Sequence, residues 1–211
     1  MYDAVLFDLD GTLVDTESVA VHTGMAAFAA LGQPISIAFM HGLVGKDQAA
    51  GNAIISAAYP DLDLDAMNAH WRAGFKASVA RELRLKPGVM AVLSAIDVPM
   101  AVVTSSRRDD AHAKVEKAGL AHFSQTTVPV NDVTGAKPDA EPFLLAATRL
   151  GVDPARCLVF EDSDPGAEGA HRAGCTVVQV PDMQPSAGPF AHHLAPDLIA
   201  GARMAGLVVR D

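Results

Sequence analysis

The stretch VLFDLDGTLVD, residues 5–15, places a short apolar run directly before two carboxylates, Asp8 and Asp10. Acidic side chains are disfavoured at the end of a buried strand unless something compensates their charge. A metal ion, a reaction at these side chains, or both would provide that compensation. The stretch therefore predicts a buried strand that ends in a functional site, where Gly11 and Thr12 turn the chain.

Short runs rich in Val, Leu and Ile alternate with helix-like stretches along much of the remaining chain. The predicted strands cover residues 4–8, 99–106, 156–162 and 176–182. The predicted helices between them cover residues 88–96, 109–120, 141–151 and 165–174. Short continuous apolar runs are typical of parallel strands that are covered on both faces. The alternation predicts a doubly wound, Rossmann-like α/β fold with right-handed crossovers.

The segment 14–86 interrupts this alternation. It contains no convincing strand, and helix-like stretches occupy residues 17–32, 46–59 and 64–83. Pro87 and Gly88 then mark the return to the alternating pattern. We therefore expect an α/β core formed by residues 1–13 and 87–211, with an α-helical domain inserted at residues 14–86.

The composition argues against several classes of function. The chain has 211 residues and a formal net charge of −9, which argues against binding to nucleic acid or an anionic membrane, because such binding needs a basic stripe. Its N-terminal segment lacks the apolar run of a signal peptide, and no run is long enough to span a bilayer. We expect a monomeric, cytoplasmic protein that acts on a small molecule. Cys157 and Cys175 lie in apolar runs without a CxxC motif and are expected to be buried, reduced thiols.

Polar groups of complementary kinds follow three of the predicted strands and precede one predicted helix. They are the carboxylates, hydroxyls and ammonium of Asp8, Asp10, Thr104, Ser105, Ser106, Lys137, Glu161 and Asp162. In an open parallel sheet, ligands bind beyond the carboxyl ends of the strands, so these groups should converge. Carboxylate oxygens are typical ligands of Mg²⁺, while hydroxyls, backbone N–H groups and a lysine suit a phosphate. The set predicts Mg²⁺-dependent phosphoryl transfer, for which a carboxylate nucleophile is a known type.

Four motifs occur in a fixed order along the chain. They are DLDGTLVD at residues 8–15, TSS at 104–106, KPDAEPF at 137–143 and EDSDPG at 161–166. In this order they resemble the haloacid dehalogenase superfamily, and the helical insertion resembles its subfamily with a helical cap domain. The stretch 137–174 is similar to the sugar-phosphatase and β-phosphoglucomutase branch, although Ala140 and Gly169 stand where relatives usually have Pro and Ala.

The resemblance implies catalytic roles for three residues. Asp8 would be the nucleophile and a Mg²⁺ ligand. Asp10 would be the general acid and base, and its backbone carbonyl would also meet the metal. Lys137 would neutralise Asp8 and the transferring phosphoryl group.

The resemblance also implies a phosphate site and the remaining metal ligands. Thr104 and the backbone N–H of Ser105 would hold the phosphate, with Ser106 as a further substrate-binding residue. Asp162 would ligate Mg²⁺, and Glu161 would lie in its coordination shell or next to it.

Three residues of the insertion are candidates for selecting the substrate. In similar proteins a glycine followed by a basic residue in the cap often faces the active site, and Gly45 and Lys46 match this pattern. Lys46 and His41 would bind the non-reacting end of a sugar phosphate. The alternative, that these are exposed cap residues without such a role, stays open.

The leading hypothesis is a Mg²⁺-dependent phosphatase that hydrolyses a small metabolite, a sugar or polyol phosphate, through an aspartyl-phosphate. The first alternative is a β-phosphoglucomutase-type mutase, which returns the phosphoryl group to a sugar hydroxyl. Such mutases typically carry a histidine five residues beyond the position of Asp15, where this chain has Ala20. A non-catalytic regulatory module is a weaker alternative, because the motif residues are intact.

Overall fold

Six strands form one sheet in the part of the chain that a computed structural model describes, residues 1–43, 46 and 48–209. The strands are β1 (Ala4–Phe7), β2 (Met100–Val103), β3 (Thr126–Val128), β4 (Cys157–Glu161), β5 (Thr176–Gln179) and β6 (His193–Leu194). All pairings are parallel, in the order β3-β2-β1-β4-β5-β6. The strand order reverses beside β1, which is where ligands bind in open α/β sheets. The predicted fold class is confirmed.

The central strand β1 is buried along its whole length. Its Val5 lies opposite Met100 of β2 and opposite Leu158 of β4. The rings of Phe7 and Phe160 stack with their centroids 5.1 Å apart. Because the three strands run in parallel and in register, the residues that follow them lie at one edge of the sheet.

The chain divides into two units, one formed by Met1–Asp15 with Arg84–Asp211 and the other by Thr16–Leu83. These limits differ by two to three residues from the predicted limits after residues 13 and 86. The difference has a physical reason inside the first unit. The backbone N–H of Asp15 donates to the carbonyl of Arg84 at 2.9 Å, and that of Lys86 donates to Leu13 at 3.0 Å.

The second unit is helical in its described residues. Its helices are α1 (Thr16–Ala30), α2 (Ile37–His41), α3 (Gln48–Ala58) and α4 (Leu64–Arg81). The rings of Phe28, Phe39 and Tyr59 pack against one another with centroids 5.4–6.1 Å apart. The indole N–H of Trp71 donates to the carbonyl of Ala20 at 2.9 Å, which ties α4 to α1.

The first unit covers its sheet with helices. They are α5 (Val89–Ser94), α6 (Arg108–Lys117), α7 (Glu141–Leu150), α8 (Asp164–Arg172) and α9 (Leu198–Met204). Gly119, Gly151 and Gly174, which follow α6, α7 and α8, have positive φ angles of 70–84°. Helices commonly end in this left-handed conformation, so these glycines mark the helix ends that the sequence predicts.

Some elements differ from the prediction. The edge strands β3 and β6 are not predicted, since three and two residues are too few to show a pattern. The predicted strand 99–106 is too long, because β2 ends at Val103 and the chain leaves the sheet at Thr104. Both cysteines are buried, as predicted. Among the described residues, no helix has the length and apolar character needed to cross a membrane.

Candidate active site

Asp8 directly follows β1 and is almost fully buried. The ammonium of Lys137 donates to its Oδ1 at 2.6 Å and to the carbonyl of Val103 at 2.9 Å. Lys137 also forms an ion pair with Glu161, a fully buried residue at the end of β4. One buried lysine, carried by the segment before α7, therefore joins the ends of β1, β2 and β4.

Burial shifts the pKa values of Asp8 and Lys137 in opposite directions. Burial raises the pKa of Asp8 to about 8, and the negative charges of Glu161 and Asp10 add to the rise while Lys137 opposes it. Burial alone would lower the pKa of Lys137, but Asp8 and Glu161 outweigh this effect and the net shift is upward. Lys137 is therefore a permanent cation, and the acidic cluster needs further positive charge before Asp8 ionises at neutral pH.

Glu161 is held rigidly by the start of α8. Its Oε2 accepts hydrogen bonds from the backbone N–H groups of Asp162 and Ser163 at 3.1 and 3.2 Å, and from the Ser163 hydroxyl at 3.0 Å. The same hydroxyl accepts from the N–H of Gly166 at 3.2 Å, which caps the helix. A side chain at Gly166 would overlap the Glu161 carboxylate, so only glycine leaves room for it.

Three carboxylates, including that of Asp8, converge at this edge of the sheet. Asp8, Glu161 and Asp162 each offer one oxygen, and these oxygens all lie within 4.8 Å of one another. Gly11, with a φ angle of 87°, packs so closely against Asp162 that a Cβ there would overlap its carboxylate. An all-oxygen set of this kind fits Mg²⁺, which binds few carboxylates and completes its shell with water or phosphate oxygens. The side chains present therefore suit the predicted metal.

The predicted phosphate-binding residues follow β2. Thr104 is buried, and its hydroxyl oxygen accepts from the N–H of Ser106 at 3.0 Å. The Ser106 hydroxyl donates to Oδ2 of Asp10 at 2.7 Å, while Ser105 is exposed. Thr104 and Ser106 thus lie at the same sheet edge as Asp10, where a phosphate would meet hydroxyl and N–H donors.

Lys114 belongs to this site although the motifs do not predict it. This residue of α6 is buried, and its ammonium donates to Oδ1 of Asp10 at 2.6 Å and to the Ser106 hydroxyl at 2.9 Å. The sequence does contain a signal for it. Lys114 lies three residues after Ala111 and directly before Val115, which form the buried face of the helix. A lysine on that apolar face calls for a buried anionic partner.

The three predicted cap residues fall within the range of the helical unit, Thr16–Leu83. His41 and Lys46 are exposed residues of the helical unit. Gly45 lies outside the described residues. Their predicted role in substrate binding stays a prediction.

The sheet, the insertion and the acidic cluster beside a buried lysine define a class of phosphoryl-transfer enzyme. A family model described as haloacid dehalogenase-like hydrolase matches residues 5–180. The chain therefore belongs to this family, as its motifs indicate.

Characterised relatives are similar over most of their length. Fructose-1-phosphate phosphatase YqaB of Escherichia coli is 34% identical over 188 residues, covering 85% of this chain and 96% of that protein. Hexitol phosphatase A of Escherichia coli is 32% identical over 191 residues, covering 83% and 81%. These relatives confirm the predicted enzyme class, a phosphatase.

Among solved structures, a proposed β-phosphoglucomutase from Thermotoga maritima superposes with a TM-score of 0.83. Its sequence is 26% identical, and the match covers 97% of this chain and 100% of that one. The similarity confirms the predicted relation to the β-phosphoglucomutase-like branch and its fold.

Proposed function

We propose that this phosphatase is Mg²⁺-dependent and hydrolyses a small sugar or polyol phosphate through a phosphoryl intermediate on Asp8. One observation carries the proposal. The carboxylate oxygens of Asp8, Glu161 and Asp162 lie within 4.8 Å of one another. Lys137 contacts the first of these carboxylates at 2.6 Å. A buried carboxylate between a lysine and two further carboxylates is suited to accept a phosphoryl group beside a divalent cation.

The metal would be held by the carboxylates of Asp8, Glu161 and Asp162, together with the backbone carbonyl of Asp10. When bound, Mg²⁺ supplies positive charge that ionises Asp8 and offsets the charge on phosphate oxygens. Lys137 fixes the orientation of the Asp8 carboxylate through its contact with Oδ1. Thr104 and the N–H of Ser105 hold the phosphate oxygens that face away from the nucleophile.

Each half of the reaction uses Asp8 and Asp10 in turn. An oxygen of Asp8 forms a bond to phosphorus, the bond from phosphorus to the substrate oxygen breaks, and Asp10 gives that oxygen a proton. A water molecule then forms a bond to phosphorus and gives a proton to Asp10 as the bond from Asp8 to phosphorus breaks. The net reaction consumes water and yields an alcohol and inorganic phosphate.

The names of the relatives support the substrate class. Fructose-1-phosphate phosphatase and hexitol phosphatase act on a sugar phosphate and polyol phosphates by name, and both align over most of this chain. We propose that the helical unit Thr16–Leu83 is the substrate-selecting cap, with His41, Gly45 and Lys46 as candidate contacts. The monomeric state and the cytoplasmic location stay predictions.

The mutase alternative rests on the similarity to the Thermotoga maritima structure. The position expected to carry the mutase histidine is Ala20, which has no proton-transferring side chain. Its carbonyl accepts a hydrogen bond from Trp71 and serves the packing of α1 against α4. These features favour transfer of the phosphoryl group to water.

Phosphate release from a panel of substrates tests the proposal. The panel contains fructose 1-phosphate, sorbitol 6-phosphate, phosphoglycolate and β-glucose 1-phosphate, each with Mg²⁺ and with EDTA. We expect release from sugar or polyol phosphates that requires both Mg²⁺ and Asp8, so Asp8→Asn and EDTA each abolish it. Conversion of β-glucose 1-phosphate to glucose 6-phosphate without phosphate release would favour the mutase.

A further inference from the structure

Asp10, Ser106 and Lys114 form a closed triangle of hydrogen bonds. Lys114 donates to Oδ1 of Asp10 at 2.6 Å and to the hydroxyl of Ser106 at 2.9 Å. The Ser106 hydroxyl in turn donates to Oδ2 of Asp10 at 2.7 Å. Each oxygen of the Asp10 carboxylate therefore accepts a hydrogen bond, one from Ser106 in the loop after β2 and one from Lys114 in α6.

These hydrogen bonds orient the Asp10 side chain, which lies outside any helix or strand. Asp10 lies in the turn after β1, outside strand and helix apart from a single bridge to Val14. A short side chain there can adopt several rotamers, and the hydrogen bonds from Ser106 and Lys114 stabilise the one observed. Hydrogen bonds to a charged partner are the stronger kind, so this arrangement should dominate.

The stability of the fold does not explain why a lysine occupies position 114. Lys114 lies beside Ala111 and Val115 on the buried face of α6, where a methionine or leucine would pack without loss of hydration. A buried ion pair is often no more stable than apolar residues of similar volume in its place. The pair is better explained by what it does to Asp10.

We propose that Lys114 is a positioning residue for the acid–base step. With Ser106, it holds the Asp10 carboxylate where protons pass to the leaving oxygen and from water. The proposal rests on the proposed function, because it assigns Lys114 a task in that reaction. Misplacing a catalytic group by about 1 Å costs on the order of 100-fold in rate, so the loss of Lys114 should be visible in turnover.

Two substrates with different leaving groups distinguish a displaced Asp10 from a general distortion of the active site. Fructose 1-phosphate has an alcohol leaving group that needs a proton, whereas the nitrophenolate of p-nitrophenyl phosphate leaves without one. A displaced Asp10 should therefore slow phosphoryl transfer to Asp8 from the sugar phosphate much more than from the nitrophenyl ester. A distorted metal or phosphate site would slow both alike.

The experiment compares Lys114→Met with Lys114→Arg and with the matched control Lys117→Met, in the Mg²⁺-loaded enzyme. Lys117 is an exposed lysine of the same helix, so its replacement removes the same charge. Single-turnover measurements give the transfer step for both esters, and steady-state measurements give kcat and KM. For Lys114→Met we expect a loss of about 10- to 100-fold in kcat for fructose 1-phosphate, with KM within about twofold of wild type.

The single-turnover loss of Lys114→Met should be at least about fivefold larger for the sugar phosphate than for the nitrophenyl ester. Lys114→Arg, which keeps a donor, should recover most of the rate, and Lys117→Met should behave like wild type. If Lys114→Met fails to fold, Ser106→Ala, which removes the other donor to Asp10, carries the same comparison of the two esters. Equal losses for both esters, or no loss beyond that of Lys117→Met, would overturn the positioning role.

The outcome for the wild type tests the proposed function separately. A wild type that releases phosphate from neither ester contradicts the proposed function, and the role of Lys114 falls with it. An active wild type whose Lys114→Met variant is unimpaired contradicts the role of Lys114 alone.

Discussion

Asp8 and Asp10 are two residues apart and each is paired with a lysine, yet their surroundings differ. In the pair Lys137–Asp8 the side chains are 5% and 8% exposed, and in Lys114–Asp10 they are 8% and 29% exposed. The first pair is sealed and shares its lysine with Glu161. The second reaches water and shares its lysine with a neutral hydroxyl, that of Ser106.

The difference suggests how one turn can supply two carboxylates with different tasks. A sealed carboxylate among other acids is suited to hold a metal and attack phosphorus, since a fixed lysine and the metal would together compensate its charge. A carboxylate open to water on one side is suited to exchange protons with water and with a leaving group. Two acidic groups with different environments are a common basis for such a division of labour.

The largest difference between the two pairs should appear when each lysine is replaced by methionine. Lys137→Met removes the cation from two buried carboxylates, Asp8 and Glu161, and should lower the free energy of unfolding by about 3–5 kcal/mol. Its activity should fall by at least about 1000-fold, because the nucleophile loses its orientation and charge compensation. Lys114→Met should cost about 1–2 kcal/mol, since water can solvate the carboxylate that it leaves.

Urea unfolding of the two variants, in EDTA and at one pH, measures the two free energies. The exposed-site variant Lys117→Met controls for the loss of one positive charge. Equal destabilisation by Lys137→Met and Lys114→Met would show that the two pairs are not differently buried in solution.

A smaller change should disturb the Asp8 side alone. Gly166→Ala places a methyl group against the Glu161 carboxylate, which has no room to move away. We expect a loss of about 1–3 kcal/mol in stability and a clearly weaker affinity for Mg²⁺. Gly51→Ala in α3 is the control, because nothing lies within 4 Å of its Cβ position. Calorimetric titration with Mg²⁺ checks the affinity, and unchanged binding by Gly166→Ala would argue against Glu161 as part of the metal site.

The smallest expected effect is a pH-dependent change in melting temperature. The pKa of Asp8 is raised from 3.8 to about 8, so between these values the metal-free folded state binds more protons than the unfolded state. Its stability should therefore decrease as the pH rises through this range. Asp8→Asn lacks the titrating carboxyl, so its stability should not decrease in this way. In EDTA it should melt at least about 2 °C above wild type at pH 8.5 but close to wild type at pH 5.

Asp10→Asn is the matched comparison for this experiment. It removes a carboxylate whose side chain is 29% exposed and therefore less desolvated than that of Asp8. We therefore expect a smaller rise in melting temperature at pH 8.5. Differential scanning fluorimetry across pH 5–8.5 follows both variants. A similar rise in melting temperature for both variants would contradict the difference in burial between Asp8 and Asp10.

The proximity of Asp8, Lys137 and the acidic residues after β4 could be predicted from the sequence for a simple reason. Asp8 directly follows β1, Glu161 is the last residue of β4, and Asp162 follows it. An acidic residue at the end of an apolar strand indicates a compensating partner. Lys137 follows from its motif, and parallel strands bring these residues to one edge. The central sheet was predictable because its strands are continuous apolar runs.

The parts that were missed lack such a local signal or carry one that is easily overlooked. Lys114 is one of several charged residues in α6, and only its spacing from Ala111 and Val115 indicates burial. The strands β3 and β6 are short and form the two edges of the described sheet, so tertiary pairing rather than a local sequence pattern creates them. The role predicted for Lys46 in substrate binding stays a prediction.

The central claim is that Asp8 accepts the phosphoryl group. Its most direct test is rapid acid quenching of the Mg²⁺-loaded enzyme with ³²P-labelled substrate, followed by peptide mapping. We predict an acid-stable, base-labile label on the peptide that contains Asp8 in wild type, and also in Asp10→Asn when the labelled substrate is p-nitrophenyl phosphate, whose leaving group needs no proton. Asp8→Asn should carry no label. Phosphate release from an active wild type with no label on that peptide, or a label on another residue, would contradict the account.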